Sequence, residues 1–174
     1  VDVILDYDLR QLIAAHTAQQ AAVTVLLIPN RGPCSVSLDG QGKILRFRDP
    51  KHGRYTFSGI HIFRRDVLNY LDPNDEAPDI IDAYQRALDA GEKVQAIVAS
   101  RNVYWSDIGT AAEYIRAHGE IADCSLGFHS LLRKAQIEQA HRRFELELKG
   151  VQCTGALGIG LEVGVPAGSQ IHNV

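Results

Sequence analysis

One short stretch concentrates the residue types that handle phosphates and hard metal ions: Tyr104-Trp105-Ser106-Asp107-Ile108-Gly109-Thr110. It sets an acid between a β-forming run and the start of a helical pattern. In open α/β sheets, ligands gather at the carboxyl ends of the strands. A helix N-terminus placed there offers free N–H groups and positive potential to phosphate. An aspartate at the strand end adds a hard oxygen ligand for Mg²⁺. The plainer role for Asp107 is to cap the helix that follows, and the residues alone leave both open. A second feature is Gly59, in the middle of the β-forming run Tyr55–Phe63. Glycine weakens a strand, so here it marks either a bulge or a close approach of backbone to a ligand. Other chemistry is poorly supported. The seven histidines show no HxxxH or HExxH spacing, and no GxSxG elbow occurs. His16, His61 and His118 sit inside patterned elements and read as packed or capping residues.

The elements that must position these residues are legible. Asp8 can cap a helix to about His16, with Leu9, Leu12, Ile13 and His16 at helical spacing. Residues 22–28 form a continuous apolar run, which suits a strand buried on both faces of a parallel or mixed sheet. Cys34 to Leu38, the turn Asp39-Gly40-Gln41-Gly42 and Lys43 to Arg48 read as a hairpin. A short helical turn over Asp66–Leu71 and a helix over Asp79–Ala90 follow, the second ending at Gly91. Strands are expected at 94–99 and 103–108. Thr110 and Glu113 match a capping box that opens a helix to about Ala122. A long amphipathic helix is expected over 129–149, stopped by Gly150. This alternation of helices and strands predicts an α/β layered sheet.

Composition excludes several classes of function. The chain has 174 residues, 45% apolar and 22% charged, with a net charge of −3. That apolar content supports a packed core and argues against disorder. The charge argues against binding nucleic acid, which needs clustered Lys and Arg. No apolar run approaches the ~20 residues that span a bilayer, so no membrane partner is expected. The opening residues are acidic where a signal peptide would be basic. Cys34, Cys124 and Cys153 are far apart and odd in number, which fits a reducing, cytoplasmic setting. There is no methionine, and the chain opens inside a strand-like run. It reads as part of a longer protein.

From Gly155 onward the pattern changes. Glycines punctuate β-formers, and Ile159, Val165 and Ile171 recur at a spacing of six. This is the hexapeptide pattern of a left-handed β-helix, with a Gly-rich hairpin as the alternative.

Residues 1–122 resemble the rear part of the sugar-1-phosphate nucleotidyltransferases, including the mannose-1-phosphate guanylyltransferase-like and MurNAc-1-phosphate uridylyltransferase-like members. The matching pieces run in family order. Val1-Asp2 resembles the end of the Asn-Val-Asp (or Asn-Gly-Asp) strand, and Asp8–His16 the helix after it. Ala22–Pro29 is the next strand, and Tyr55–Phe63 the sugar-binding strand with its Gly-Ile step. Asp79–Val98 follows, and Tyr104–His118 resembles the Trp-x-Asp-x-Gly-Thr signature.

The resemblance implies a Rossmann-like mixed sheet flanked by helices, followed by the short β-helix segment. It divides the chain into a catalytic part (1–125), a linking helix (126–150) and a coil (151–174). It implies an enzyme that joins an NTP to a sugar 1-phosphate and releases pyrophosphate, with Mg²⁺ held by Asp2 and Asp107 as the catalytic and metal-binding residues. Gly59 and Ser58 of the sugar strand, with Trp105, would line the substrate, although core packing is the commoner job of a tryptophan. The family's Glu-Lys-Pro stretch is replaced here by Arg48-Asp49-Pro50, so Arg48 or Lys51 would supply the phosphate cation. The family's Gly-rich triphosphate loop and its early lysine do not occur in these residues, so this stretch alone is expected not to catalyse. A homo-oligomer built through the coil is a further expectation. The alternative is a non-catalytic regulatory or assembly subunit on the same fold.

Overall fold

A computed structural model of the chain describes residues 2–122, 131–154 and 164–172. In chain order its elements are β1 (Val3–Leu5), α1 (Leu9–Gln19), β2 (Val23–Pro29), β3 (Ser37–Leu38), β4 (Ile44–Arg46), β5 (Tyr55–Phe63), a 3₁₀ turn (Arg65–Tyr70), α2 (Ile80–Asp89), β6 (Val94–Val98), β7 (Trp105–Asp107), α3 (Ala111–Ala122), α4 (Leu131–Leu148), β8 (Gln152–Thr154) and β9 (Gln170–His172). The chain divides into two compact units, Tyr7–Val103 and Val1–Asp6 with Tyr104–Val174. No helix among the described residues is long and apolar enough to cross a membrane.

The Tyr7–Val103 unit is built on a three-stranded mixed sheet in the order β5-β2-β6. Strand β2 is its centre, antiparallel to β5 and parallel to β6. Residues Val23 to Ile28 are all buried, as the unbroken apolar run requires of a strand covered on both faces. The one polar residue among them, Thr24, is satisfied: its hydroxyl meets His16 Nδ1 at 2.9 Å and Gln95 Nε2 at 2.8 Å. Helix α1 starts where Asp8 accepts from the Arg10 N–H. It buries Leu12 alone, leaving Leu9 and Ile13 exposed, so its inward stripe is narrower than the spacing predicts. Helix α2 is capped by Asp79 and buries Ala83, Tyr84 and Ala87 against the sheet.

An aromatic cluster joins β5 to α2. The His61 ring stacks on Phe57 with centroids 5.5 Å apart and meets Tyr84 edge-on at 5.5 Å. His61 Nδ1 and Tyr84 Oη are buried without a hydrogen-bond partner. Burial pushes the His61 imidazole below its ordinary value. The unfolded chain therefore takes up a proton that the folded chain refuses. Stability contributed by this group is present at neutral pH and is lost as pH falls through the ordinary histidine value of about 6.5, until the folded imidazole also protonates. A His61→Phe variant keeps the stacking and has no proton to take up. Its urea midpoint is expected to change less than that of the parent protein between about pH 7.5 and about pH 5.

In the second unit, β1 pairs antiparallel with β7, and α3 follows β7. Helix α4 ends at Leu148, two residues before Gly150, and Leu146 packs against Val151, Cys153, Val165 and Ile171. Strands β8 and β9 pair in parallel with Gln152 opposite Gln170, eighteen positions apart. Ile159, which belongs to the proposed six-residue repeat, lies outside the described residues, as does Cys124.

Candidate active site

Asp2 and Asp107 come together through the β1–β7 pairing. Val3 stands opposite Asp107, and the Ile108 N–H donates to the Asp2 carbonyl at 2.8 Å. Both carboxylates belong to exposed residues at adjacent strand ends. The signature around Asp107 builds this geometry locally. Thr110, not Asp107, caps α3: its hydroxyl accepts from the Glu113 N–H at 3.2 Å. Glu113 turns its carboxylate to Arg116, away from the return half of a capping box. Asp107 Oδ1 accepts from the Gly109 N–H at 3.1 Å, which fixes the carboxylate over the turn. A Cβ on Gly109 would stand 3.3 Å from that same oxygen, tighter than an ordinary contact, so glycine here gives the carboxylate its room.

The residues before Asp107 anchor the strand. Tyr104, Trp105 and Ser106 are buried, so Trp105 is a wall of this unit's core. The Tyr104 hydroxyl donates to Glu120 Oε2 at 2.8 Å, and burial together with that bond pushes its pKa up to about 12. Arg116 bridges the helix to the strand, donating to Ser106 Oγ at 3.1 Å while pairing with Glu113 and Glu120. Its charge is spent on α3, and its role is to hold β7 against the helix.

Four other predicted residues belong to the Tyr7–Val103 unit. Gly59 has φ +87°, in the left-handed region that favours glycine. Between Val25 and Leu27 the pairing with β5 jumps from His61 to Phe57, so a bulge spans Ser58–Ile60. Ser58 is fully buried, and its hydroxyl accepts from the Ile60 N–H at 3.1 Å, stitching the bulge. Arg48 is held by Asp79 and by Asp82, the latter at 2.8 Å. Lys51 is exposed in the loop after Pro50. Sequence reasoning passed over Asp39, His52 and Arg54, which line a pocket at the edge of this unit. Its signal was present only as a turn, Asp39-Gly40-Gln41-Gly42.

Comparison with known proteins gives a consistent picture. Residues 1–123 match the sequence profile of the nucleotidyl transferase family. A UTP–glucose-1-phosphate uridylyltransferase from Synechocystis is 27% identical over 126 residues, covering 67% of this chain and 32% of that protein. The chain thus spans about a third of the length of the curated relative it matches. A crystal structure described as a glucose-1-phosphate thymidylyltransferase from Bacillus anthracis, in complex with sucrose, superposes with a TM-score of 0.60 at 23% identity, over 76% of this chain and 55% of that one. That similarity shows the shared fold.

Proposed function

The chain belongs to the nucleotidyl transferase family, and we propose that it is the rear part of a sugar-1-phosphate nucleotidyltransferase. The observation that carries this reading is the β1–β7 pairing, which sets Asp2 beside the Asp107–Ile108 step. In the reaction, an oxygen of the sugar 1-phosphate attacks the α-phosphorus of an NTP. The α–β phosphoanhydride bond breaks, pyrophosphate leaves and an NDP-sugar forms. No covalent enzyme intermediate is needed, so the protein's work is positioning and charge neutralisation.

Two exposed carboxylates at neighbouring strand ends suit Mg²⁺, which takes one or two carboxylates and completes its shell with water and phosphate oxygens. Among the described residues no group of three or more His, Cys, Asp or Glu gathers as a protein-only cage would require. Asp2 and Asp107 would hold the ion, and when bound it neutralises charge on the triphosphate and the leaving pyrophosphate. Gly59, without a Cβ, would let the sugar approach the backbone, with Ser58 shaping the bulge, and the exposed Lys51 would supply the phosphate cation. Trp105 would act by holding the strand end that presents Asp107.

The β8–β9 offset of eighteen residues corresponds to three hexapeptides, which supports a coil over 151–174, and an oligomer formed through that coil is part of the same proposal. Cys34 and Cys153 are free thiols, which suits a cytoplasmic setting. Both relatives are named for glucose 1-phosphate, so it is the first sugar phosphate to test.

The test is pyrophosphate release by the full-length protein with Mg²⁺, across NTPs and hexose 1-phosphates. Release with one pairing is the expected result. Silence across the panel, with nucleotide sugar still bound, would replace this reading with that of a regulatory subunit, which the capture of Arg48 by two carboxylates favours.

A further inference from the structure

We infer that His61 is a positioning residue: its ring stacks on Phe57 across the Ser58–Gly59–Ile60 bulge and so holds the Gly59 backbone step in place before a sugar arrives. This rests on the reading that a sugar meets the chain at Gly59, and it adds the side chain that shapes that step.

The pairing register couples the stack to the bulge. On β2, Val25 and Leu27 are two residues apart, whereas their partners on β5, His61 and Phe57, are four apart. Leu26 is therefore matched by three residues, Ser58, Gly59 and Ile60. In a regular strand, residues four apart are separated by roughly 13 Å and residues two apart by roughly 7 Å. The bulge closes the first spacing towards the second. It brings both side chains together on the face that Val25 and Leu27 share. There the His61 and Phe57 rings lie parallel, with centroids 5.5 Å apart and an interplanar angle of 3°. Straightening the bulge would part the rings, so stack and bulge stabilise each other.

Packing holds the ring in place. Phe57, Phe63 and Tyr84 surround it, each with its centroid 5.5 Å away. Tyr84 is itself fully buried on α2 and packs on Phe47 and Phe63, so it gives the His61 ring a fixed floor. His61 Nδ1 and Tyr84 Oη are buried and make no hydrogen bond. A buried polar atom without a partner costs stability, so Nδ1 does not account for the ring's place here. What the position uses is a flat face of the right size.

Within the bulge, the Ile60 N–H donates to the Ser58 hydroxyl at 3.1 Å. Gly59, at φ +87°, sits between these two residues and inside the span that the Phe57–His61 stack closes. A backbone step fixed in advance loses little freedom when a ligand meets it. His61 therefore acts on sugar affinity through the backbone, without touching the reacting atoms.

The experiment compares two substitutions in the full-length protein. His61→Leu keeps the apolar volume but has no flat face, and His61→Phe keeps the flat face but has no ring nitrogen. One readout is amide hydrogen exchange across residues 58–61, followed by mass spectrometry. The other is the kinetics of pyrophosphate release with glucose 1-phosphate, or with whichever hexose 1-phosphate the parent protein turns over. In His61→Leu, exchange across the bulge is expected to be about threefold to tenfold faster, and the KM for the sugar phosphate to rise by a similar factor, as the loss of one aromatic stack sets. The kcat and the KM for the NTP are expected to stay within about twofold of the parent. His61→Phe is expected to restore both readouts. Val94→Ala, in the same core cluster but on β6 opposite Val23, should lower the urea midpoint and leave both readouts at parent values. The inference is overturned if His61→Leu matches the parent in both readouts, or if His61→Phe fails to restore what His61→Leu loses. Faster exchange with an unchanged KM would leave a structural latch and remove its part in placing the substrate. A parent protein that releases no pyrophosphate would remove the nucleotidyltransferase reading and with it the substrate role of His61, while exchange would still report the latch.

Discussion

Replacing Asp107 by Asn in the full-length protein should lower pyrophosphate release on the order of a thousandfold or more while leaving the fold unchanged. The reasoning separates the two effects. Asn loses the negative charge and one hard oxygen donor that phosphate chemistry requires. It keeps an Oδ1, so the bond from the Gly109 N–H at 3.1 Å survives. The residue is exposed and the α3 cap is supplied by Thr110, so neither the core nor the helix start depends on it. Thermal unfolding followed by circular dichroism should place the variant within ~0.5 kcal/mol of the parent. Turnover within about tenfold of the parent would end the assignment of Asp107 to metal and phosphate. Asp2→Asn should follow the same pattern, because the β1–β7 pairing puts it at the adjacent strand end.

The largest loss of stability should come from Leu27→Ala. Leu27 is fully buried in β2, between β5 and β6, and belongs to the cluster that includes Val25, Val36, Phe47, Tyr84 and Val94. Removing its branched end deletes buried apolar surface and leaves a cavity inside a sheet covered on both faces. The expected cost is about 2–5 kcal/mol, read as a lower urea midpoint at an unchanged slope. A cost below about 1 kcal/mol would mean that this strand is not the centre of the core. The contrast with Asp107 is informative, because one change spares the fold and removes the chemistry while the other does the reverse.

Much of this was legible from local sequence. The run from Val23 to Ile28 has a single hydroxyl and no charge, so only a strand buried on both faces can hold it. The sheet places it there, flanked by one antiparallel and one parallel neighbour. Asp8, Asp79 and Thr110 each cap the helix that their position announces, because capping involves only residues two or three apart. The Trp-x-Asp-x-Gly-Thr signature likewise carries its own turn, through Asp107 and Gly109.

Other features could be decided only by the tertiary structure. The family resemblance offers Arg48 or Lys51 as the phosphate cation, and the residues alone do not say which basic side chains of this region are paired. Ion pairing depends on distance in space, and Arg48 meets carboxylates 31 and 34 residues away on α2 and at its cap. Gly59 was compatible with a bulge or a ligand approach, and the register jump against β2 shows the bulge because pairing is a property of two strands. Asp39, His52, Arg54 and Val98 share a pocket only because a hairpin, a clamped loop and a strand end converge. Local sequence determined the elements and their caps because short-range sterics and hydrogen bonds act between neighbours. Which charges remain free to bind a ligand was decided by packing, which brings distant residues together.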